Sequence, residues 1–527
     1  MNTINTRSIT YTLLYSALCL LYILLYMPYG FEDTDTGYIL GSSWNIYNGQ
    51  LPHRDFIYTR PAIPAYFHTI FIWISETYAF IIDRCFFYVQ IFVYSYLGAS
   101  LLCHKFSIRD PQIKYTLAAL AALVSIHNYP PMGWNTIDGV FFCMLGLYLI
   151  LQESYKTYKV ALGSLVLVLG VFSKQSFYFM PIFIFVYLLL LKDYKKLRTY
   201  VLFGLVAVMG YFLFKYSTGS LQPFWEQTFQ RTPTSALYEA GFKHYYDSLR
   251  IVVLYVILSI GLIWAAKRYL KNQLAYALFT AGVLGLIALF FIQSYGSWTA
   301  IPYIFQVLFL ACSAFAVVRS ITDARYYLVV LLLTLSWSAS ISNGYRTPIH
   351  FSLPLIFGSY LFFIGPNAAR FKPWIPLTLI VLCFGTFYLG YQTTYRDSNR
   401  NELTYAMGDI YPELTGIKSD KATFDKYQEL RQLSENYPNF TVLPSATLAH
   451  FITKTVNPIG TDWPIDVEIN YQAEALTDTL ARKDVTVFLE EKEYSEYQLD
   501  SYTIKRLIES QWKLVQKGTH FNVYQSK

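Results

Sequence analysis

Residues 9–27, ITYTLLYSALCLLYILLYM, form an uninterrupted apolar run near the N-terminus. At about 1.5 Å per residue, a helix of this length crosses a hydrocarbon core of about 30 Å. Lipid offers the backbone no hydrogen bonds, so the run is expected to be helical. The run follows Arg7, is long for the apolar part of a signal peptide and lacks a small-residue cleavage pattern. We therefore interpret it as an uncleaved signal anchor.

Similar runs recur along the first three quarters of the 527-residue chain, which is 54% hydrophobic and only 14% charged. Soluble domains carry about 25% charged residues, so the composition predicts a polytopic α-helical membrane protein. We expect about thirteen transmembrane helices. They are placed near 9–29, 80–103, 113–128, 136–152, 159–173, 176–191, 197–216, 248–266, 273–293, 300–318, 326–342, 349–364 and 374–391.

The charges between these runs predict the orientation. Lys and Arg concentrate in alternate connections, which are cytoplasmic by the positive-inside rule. The long first loop, 30–79, and the C-terminal part then lie outside the cytoplasm. The formal net charge of +7 does not indicate a nucleic-acid partner, because the basic residues occupy these short connections and form no basic face or tail. Membrane lipids are the expected surroundings.

The composition changes after the last run. We expect a transmembrane part at 1–391, a linker at 392–419 and a small extracytoplasmic α/β domain at 420–527. Within the last part, 422–437 and 470–482 have helical character, whereas FTVLP and VTVFLE are typical of strands. The stretch WKLVQKGTHFNVYQ, residues 512–525, predicts a terminal hairpin.

The first loop begins with FEDTDTGY, residues 31–38, which places three carboxylates directly after an apolar run. Asp33 and Asp35 form a D-x-D pair, and such a pair can hold a divalent cation beneath a diphosphate. Solvated loop charges are the simpler explanation. Further along, 37–49 has the character of a short interfacial helix, and 61–80 that of a second juxtamembrane helix that begins at prolines.

As a whole, residues 35–68 resemble the first extracytoplasmic loop of the GT-C superfamily of glycosyltransferases. These integral-membrane enzymes use polyprenyl-phosphate sugars, and they include protein O-mannosyltransferases and aminoarabinose transferases that act on lipid A. The matching elements are Asp35-Thr-Gly-Tyr38, Asn48-Gly-Gln, Pro52-His-Arg-Asp-Phe56 and Thr59-Arg-Pro61. The chain departs from the family at Pro61-Ala-Ile-Pro64, where the family often has Pro-Pro, and at Thr59, where it often has Glu.

The resemblance implies a GT-C-like fold and assigns roles to particular residues. Asp35 corresponds to the general base that takes the proton of the acceptor hydroxyl. Arg60 corresponds to the cation that holds the donor phosphate, and a guanidinium can bind two phosphate oxygens at once. Lys174 and Arg346, both at outer ends of spans, are further candidates for phosphate binding.

Supporting or acceptor-binding roles are less determined. Asp33 either supports Asp35 or pairs with a cation, and Arg54 with Asp55 is either a structural ion pair or part of the site. His53 and His350 are placed suitably for loop hydrogen bonding or for acceptor contact. Asn128 and Trp134 are candidates for sugar contact, although interfacial aromatic residues are common. These supporting candidates are Asp33, His53, Arg54, Asp55 and His350.

The resulting hypothesis is an inverting glycosyltransferase of a bacterial plasma (inner) membrane. It would transfer a sugar from a polyprenyl-phosphate donor to a lipid, glycan or protein hydroxyl outside the cytoplasm. No cofactor is required by this chemistry and no metal site is assigned, with a divalent cation left as an alternative. Two other functions stay open: a transporter or flippase of lipid-linked sugars, and a polysaccharide polymerase or ligase.

Overall fold

The protein is represented by a computed structural model. It describes residues 6–32, 34–126, 131–230, 234–272, 297–341, 348–363, 397–466, 468–469, 472–491 and 502–527. Isolated residues between 275 and 294 and between 384 and 394 are also described. The predicted spans 273–293 and 374–391 thus lie largely outside the described residues.

Apolar helices form the first part of the chain, as the composition predicts. Among the described residues, four segments are long and apolar enough to cross a membrane: Arg7–Tyr26, Ala79–Lys105, Tyr194–Ser217 and Pro302–Ser320. The expected total of about thirteen spans stays a prediction. The helices are α1 (Thr6–Tyr26), α2 (Asp35–Tyr47), α3 (Ile63–Ile74), α4 (Ala79–Lys105), α5 (Pro111–Ile126), α6 (Asn135–Ile150), α7 (Thr157–Val171), α8 (Met180–Leu190), α9 (Tyr194–Ser217), α10 (Leu221–Trp225), α11 (Thr234–Tyr269), α12 (Ser297–Ser320), α13 (Tyr326–Ile341) and α14 (Leu353–Phe363).

Helix α11 extends beyond the predicted span 248–266 on its N-terminal side, because it begins at Thr234 and continues to Tyr269. Polar residues such as Lys243 and Asp247 interrupt its apolar pattern without breaking the helix, because helix propensity tolerates them while hydropathy does not.

Helices α6 and α7 approach closely through glycines. A Cβ at Gly146 would lie 2.8 Å from the carbonyl oxygen of Gly163, and the reverse substitution meets the same obstacle. Small residues at a helix interface let two backbones come together in an apolar environment. This pairing brings the start of α6 beside the end of α7, where Lys174 follows.

The second predicted loop helix, α3, is fixed to the bundle by a buried polar network. His68 lies between two carboxylates, contacting Asp83 through Nδ1 and Asp138 through Nε2 at 3.2 Å. Gln90 also donates to Asp138, at 2.7 Å. On its other face α3 leaves Trp73 and Ile74 largely exposed, which agrees with a helix at the membrane boundary.

The C-terminal part contains the predicted α/β elements. Its helices are α15 (Lys421–Asn436), α16 (Ala449–Ile452), α17 (Ala473–Arg482) and α18 (Thr503–Gln511). Its strands are β1 (Tyr405–Ala406), β2 (Lys418–Ser419), β3 (Phe440–Leu443), β4 (Thr486–Glu490), β5 (Lys513–Lys517) and β6 (Phe521–Gln525). The larger sheet has the order β3-β4-β6-β5, with β3 and β4 parallel and the others antiparallel. The terminal hairpin and both predicted strands are confirmed.

The segment expected as a linker carries structure of its own. Strands β1 and β2 pair within it, and its Lys418 carbonyl accepts a hydrogen bond from the Gly30 N–H at 2.9 Å. Asp397 accepts a second one, from the Phe31 N–H at 2.7 Å. These contacts attach the segment to the start of the first loop.

Residues 445–466 together with Glu468, here called the docking segment, pack on the first loop. Thr447 donates to the Thr34 carbonyl at 2.6 Å, and Trp44 Nε1 donates to the Thr455 carbonyl at 2.7 Å. Farther along, Asn45 Nδ2 donates to Asp462 at 2.6 Å. Helix α2 is consequently buried from Asp35 to Asn45. The sequence predicted an interfacial helix but did not indicate that other parts of the protein would cover it.

Gly37 of α2 packs directly against the docking segment. A Cβ there would lie 2.3 Å from the Thr447 hydroxyl and 2.8 Å from the Leu448 backbone nitrogen. We predict that Gly37→Ala destabilises the protein by about 1–3 kcal/mol, the usual cost of overpacking, and speeds proteolysis of the docking segment. Gly204→Ala is the matched control, since open space surrounds its Cβ. Thermal unfolding in detergent tests this, and equal melting temperatures for both variants would contradict the packing.

Candidate functional site

Asp35 lies at the first position of α2, and Glu32 lies beside it. The Glu32 carboxylate accepts the backbone N–H groups of Asp35 at 2.8 Å and Thr36 at 3.2 Å, which satisfies donors at the start of the helix. The dipole of α2 also favours a negative charge at the N-terminal end of the helix. Asp35 itself is only 4% exposed, so the protein holds this carboxylate inside and away from bulk water.

Lys174 follows the end of α7, in a turn held by two amide side chains. Asn135 donates to the Ser173 carbonyl at 3.0 Å, and Gln175 donates to the Thr59 carbonyl at 2.8 Å. The second bond joins this turn to the first loop beside Arg60. The Lys174 ammonium group donates to Thr136 Oγ1 at 2.9 Å and lies 5.6 Å from the centre of the Trp134 ring. These contacts aim Lys174 at the start of α6.

Electrostatic coupling identifies one cluster. Burial, reinforced by the positive charge of Arg60, lowers the pKa of Lys174 to about 7, while the carboxylates of Asp35 and Glu468 oppose this shift. The charge of Lys174 also acts on His350. The structure thus brings together Asp35, Arg60, Lys174 and His350, residues from four separate parts of the chain.

Glu468 is a further member of this cluster, and no sequence pattern pointed to it. Its carboxylate binds both terminal nitrogens of Arg60, at 2.6 and 3.0 Å. Thr59 donates to the same carboxylate at 2.7 Å. Burial lowers the pKa of Arg60, but the Glu468 carboxylate more than offsets this, so the pKa stays above its ordinary value and the guanidinium is charged.

His53 supports the Arg60 backbone. Its Nε2 lies 3.0 Å from the Arg60 carbonyl oxygen, and its Nδ1 lies 3.1 Å from the Lys215 ammonium. These partners require Nε2 to donate and Nδ1 to accept. Burial, with the Lys215 charge, lowers the pKa of His53 to about 3. The imidazole is therefore neutral at ordinary pH and acts here as a loop hydrogen-bonding group.

The other predicted site residues either form separate contacts or lie outside the described residues. Arg54 and Asp55 form an ion pair at 2.8 Å whose side chains are 45% and 30% exposed, the structural alternative foreseen for them. Asp33, Asn128 and Arg346 lie outside the described residues. Among the residues the structure describes, no group of three or more His, Cys, Asp or Glu side chains is arranged to hold a metal ion.

Comparisons with known proteins found structural likeness only. No protein-family model and no curated protein sequence matches the chain. ArnT from Cupriavidus metallidurans in the apo state aligns over 99% of this chain and 98% of its own, with 9% identity and a TM-score of 0.43. ArnT from the same organism bound to undecaprenyl phosphate aligns over 98% of both chains, with 12% identity and a TM-score of 0.45.

The lowered pKa of Lys174 leads to a pH-dependent stability. Between about 7 and the ordinary value of 10.5, the unfolded chain binds a proton that the folded chain does not, so stability from Lys174 rises with pH across this window and is lost as pH falls through about 7. We predict that Lys174→Met raises the melting temperature by a few degrees at pH 6 and much less at pH 9.

Lys195→Met, at an exposed lysine of α9, is the control and should show no such dependence. A Lys174→Met effect of the same size at both pH values would mean that Lys174 is not buried as a charge at low pH.

Proposed function

We propose that this chain is an integral-membrane glycosyltransferase that moves a sugar from a polyprenyl-phosphate carrier to a hydroxyl of an extracytoplasmic acceptor, with inversion at the sugar carbon. The observation that carries the proposal is the buried cluster in which Asp35 and Glu468 oppose Arg60 and Lys174. A carboxylate for proton transfer and two cations for a phosphate are the groups that this reaction needs.

The two cations suit a lipid phosphate. Arg60 lies shortly before α3 and Lys174 shortly after α7, both near helix ends, where a lipid headgroup would be. A guanidinium contributes directed hydrogen bonds to phosphate oxygens, and an ammonium contributes a compact charge. Both are buried enough that their attraction to a phosphate is weakly screened.

Asp35 would act as the general base. The acceptor oxygen attacks the anomeric carbon of the sugar while its proton passes to Asp35. The bond from that carbon to the phosphate oxygen breaks, and its electron pair stays with the polyprenyl phosphate, which Arg60 and Lys174 stabilise. Since phosphate leaves as an anion without protonation, one carboxylate suffices, unlike inverting glycosidases that need two.

The remaining assignments complete the proposal. The first loop and the C-terminal α/β part lie outside the cytoplasm of a bacterial inner membrane, and the acceptor is a lipid, glycan or protein hydroxyl. The long helices that the structure describes favour a glycosyltransferase over a transporter. The charged residues of α4 and α9 lie near the helix ends, whereas transporters place their binding sites near the bilayer midplane.

Asp35→Asn is the direct test. We predict that transfer from a labelled polyprenyl-phosphate sugar to an acceptor extract falls by about 10²–10⁴-fold, the usual contribution of a positioned base. Binding of the donor should stay within a few fold, because both cations remain. Asp425→Asn, which removes an exposed carboxylate of α15, is the matched control and should leave transfer intact.

Full transfer by Asp35→Asn would refute the mechanism. Counterflow of the intact lipid-linked sugar in proteoliposomes, without transfer, would instead indicate a flippase. Mass spectrometry of cell-envelope glycans with and without the gene would then identify the sugar and the acceptor by the residue that disappears.

The pH dependence of donor binding tests the second cation. A phosphodiester donor keeps its charge between pH 6 and 9, whereas Lys174, whose pKa is about 7, loses its own. We predict that donor affinity falls over this range in the wild type and becomes nearly independent of pH in Lys174→Arg, since arginine stays protonated. Identical pH profiles for the two proteins would remove Lys174 from the phosphate site.

A further inference from the structure

Glu468 makes an unusually complete set of contacts for a carboxylate from a distant segment. Its Oε1 accepts from Arg60 at 2.6 Å. Its Oε2 accepts from Arg60 at 3.0 Å, from Thr59 at 2.7 Å and, at the longer distance of 3.4 Å, from the Tyr38 hydroxyl. Glu468 and Arg60 are 408 positions apart in sequence, so only the docking of the C-terminal part brings them together.

The same contacts fix the plane of the Arg60 guanidinium. Its Cζ lies 4.7 Å from the centre of the Tyr38 ring, and the two bonds to Glu468 form the bidentate fork that arginine and carboxylates favour. A long arginine side chain loses considerable rotamer freedom in such a contact. Because the protein has already fixed the side chain, a ligand that binds it need not do so.

Donors remain for a ligand. A guanidinium has five N–H groups, and Glu468 uses one on each terminal nitrogen. Besides Glu468, the Tyr38 side chain interacts with the guanidinium, and among the described residues no further side chain or carbonyl accepts from the remaining N–H groups. The Arg60 side chain keeps 17% of its accessible surface and that of Glu468 10%. An anion can therefore meet Arg60 without first displacing Glu468.

Two roles for Glu468 are conceivable, and the contacts favour one. As a competitor, it would occupy the phosphate position and leave when the donor arrives. Leaving would break two charge-assisted hydrogen bonds to Arg60 and one from Thr59, and hydrogen bonds to charged groups are stronger than those between neutral groups. The displaced Glu468 carboxylate would also lie beside the newly bound phosphate, which carries the same sign of charge. Retaining Glu468 keeps all these bonds.

We propose that Glu468 is a positioning residue: it holds the Arg60 guanidinium so that its remaining N–H groups face the donor phosphate. The docking segment thereby becomes part of the donor site, and the C-terminal part is required for donor binding as well as for any role towards the acceptor. This inference rests on the proposed function, since it takes a lipid phosphate to be the ligand of Arg60.

A binding measurement distinguishes failure of the positioning role from failure of the proposed function. The full-length protein in nanodiscs is titrated with a fluorescent polyprenyl phosphate, and Kd is compared for the wild type, Glu468→Gln, Arg60→Met and the double variant. We expect Glu468→Gln to raise Kd about tenfold and Arg60→Met to raise it at least as much. The double variant should be no weaker than Arg60→Met alone, because a positioning residue has no effect once its partner is gone.

The outcomes separate the proposed function, the positioning role of Glu468 and a general effect on folding. A wild type that binds no polyprenyl phosphate overturns the proposed function. A wild type that binds, with Glu468→Gln unchanged or tighter, overturns only the positioning role, and tighter binding identifies Glu468 as a competitor. Independent, multiplying losses in the double variant would mean that Glu468 acts through general folding.

Two further variants keep the test valid if Glu468→Gln does not fold. Thr59→Val removes a donor to Glu468 but keeps the Arg60 pair, and we expect Kd to rise about two- to threefold. Lys513→Met, at an exposed lysine of β5 outside the docking segment, leaves the Arg60 contacts in place and should not change Kd. A Thr59→Val value equal to the wild type and to Lys513→Met would count against positioning.

Discussion

Charges that are buried together must compensate one another, and this constraint organises the molecule. Arg60 and Lys174 have lost most of their contact with water, which is affordable only where carboxylates lie close by. Asp35 and Glu468 supply these carboxylates from opposite ends of the chain. The cluster therefore exists only when the first loop, the ends of α6 and α7 and the docking segment are all in place.

The rest of the fold serves this arrangement. Glycines bring α6 and α7 close enough to place Lys174, and Gln175 joins that turn to the backbone of Thr59. His53 holds the Arg60 carbonyl from the other side. The cover over α2 excludes water from Asp35, so that its charge acts at short range on whatever enters the cluster. Stability and proposed chemistry thus depend on the same contacts.

The sequence predicted what local patterns encode and missed what depends on distant contacts. Apolar runs and charge alternation indicated a helical membrane protein, and strand periodicity indicated the elements of the C-terminal sheet. Asp35, Arg60 and Lys174 were selected from a motif resemblance and from their places at helix ends. Glu468 had no such signal, since nothing in its neighbourhood reveals a partner 408 positions away. The burial of α2 was missed because an aromatic, small-residue helix can suit a lipid surface or a protein cover equally well.

A structure of the protein with a bound polyprenyl-phosphate sugar would test the central claim most directly. The account predicts phosphate oxygens within hydrogen-bonding distance of Arg60 and Lys174, with Glu468 still on Arg60 and with Asp35 on the face of the sugar opposite the phosphate. A phosphate bound away from Arg60 and Lys174, with the Arg60–Glu468 pair unchanged, would contradict it.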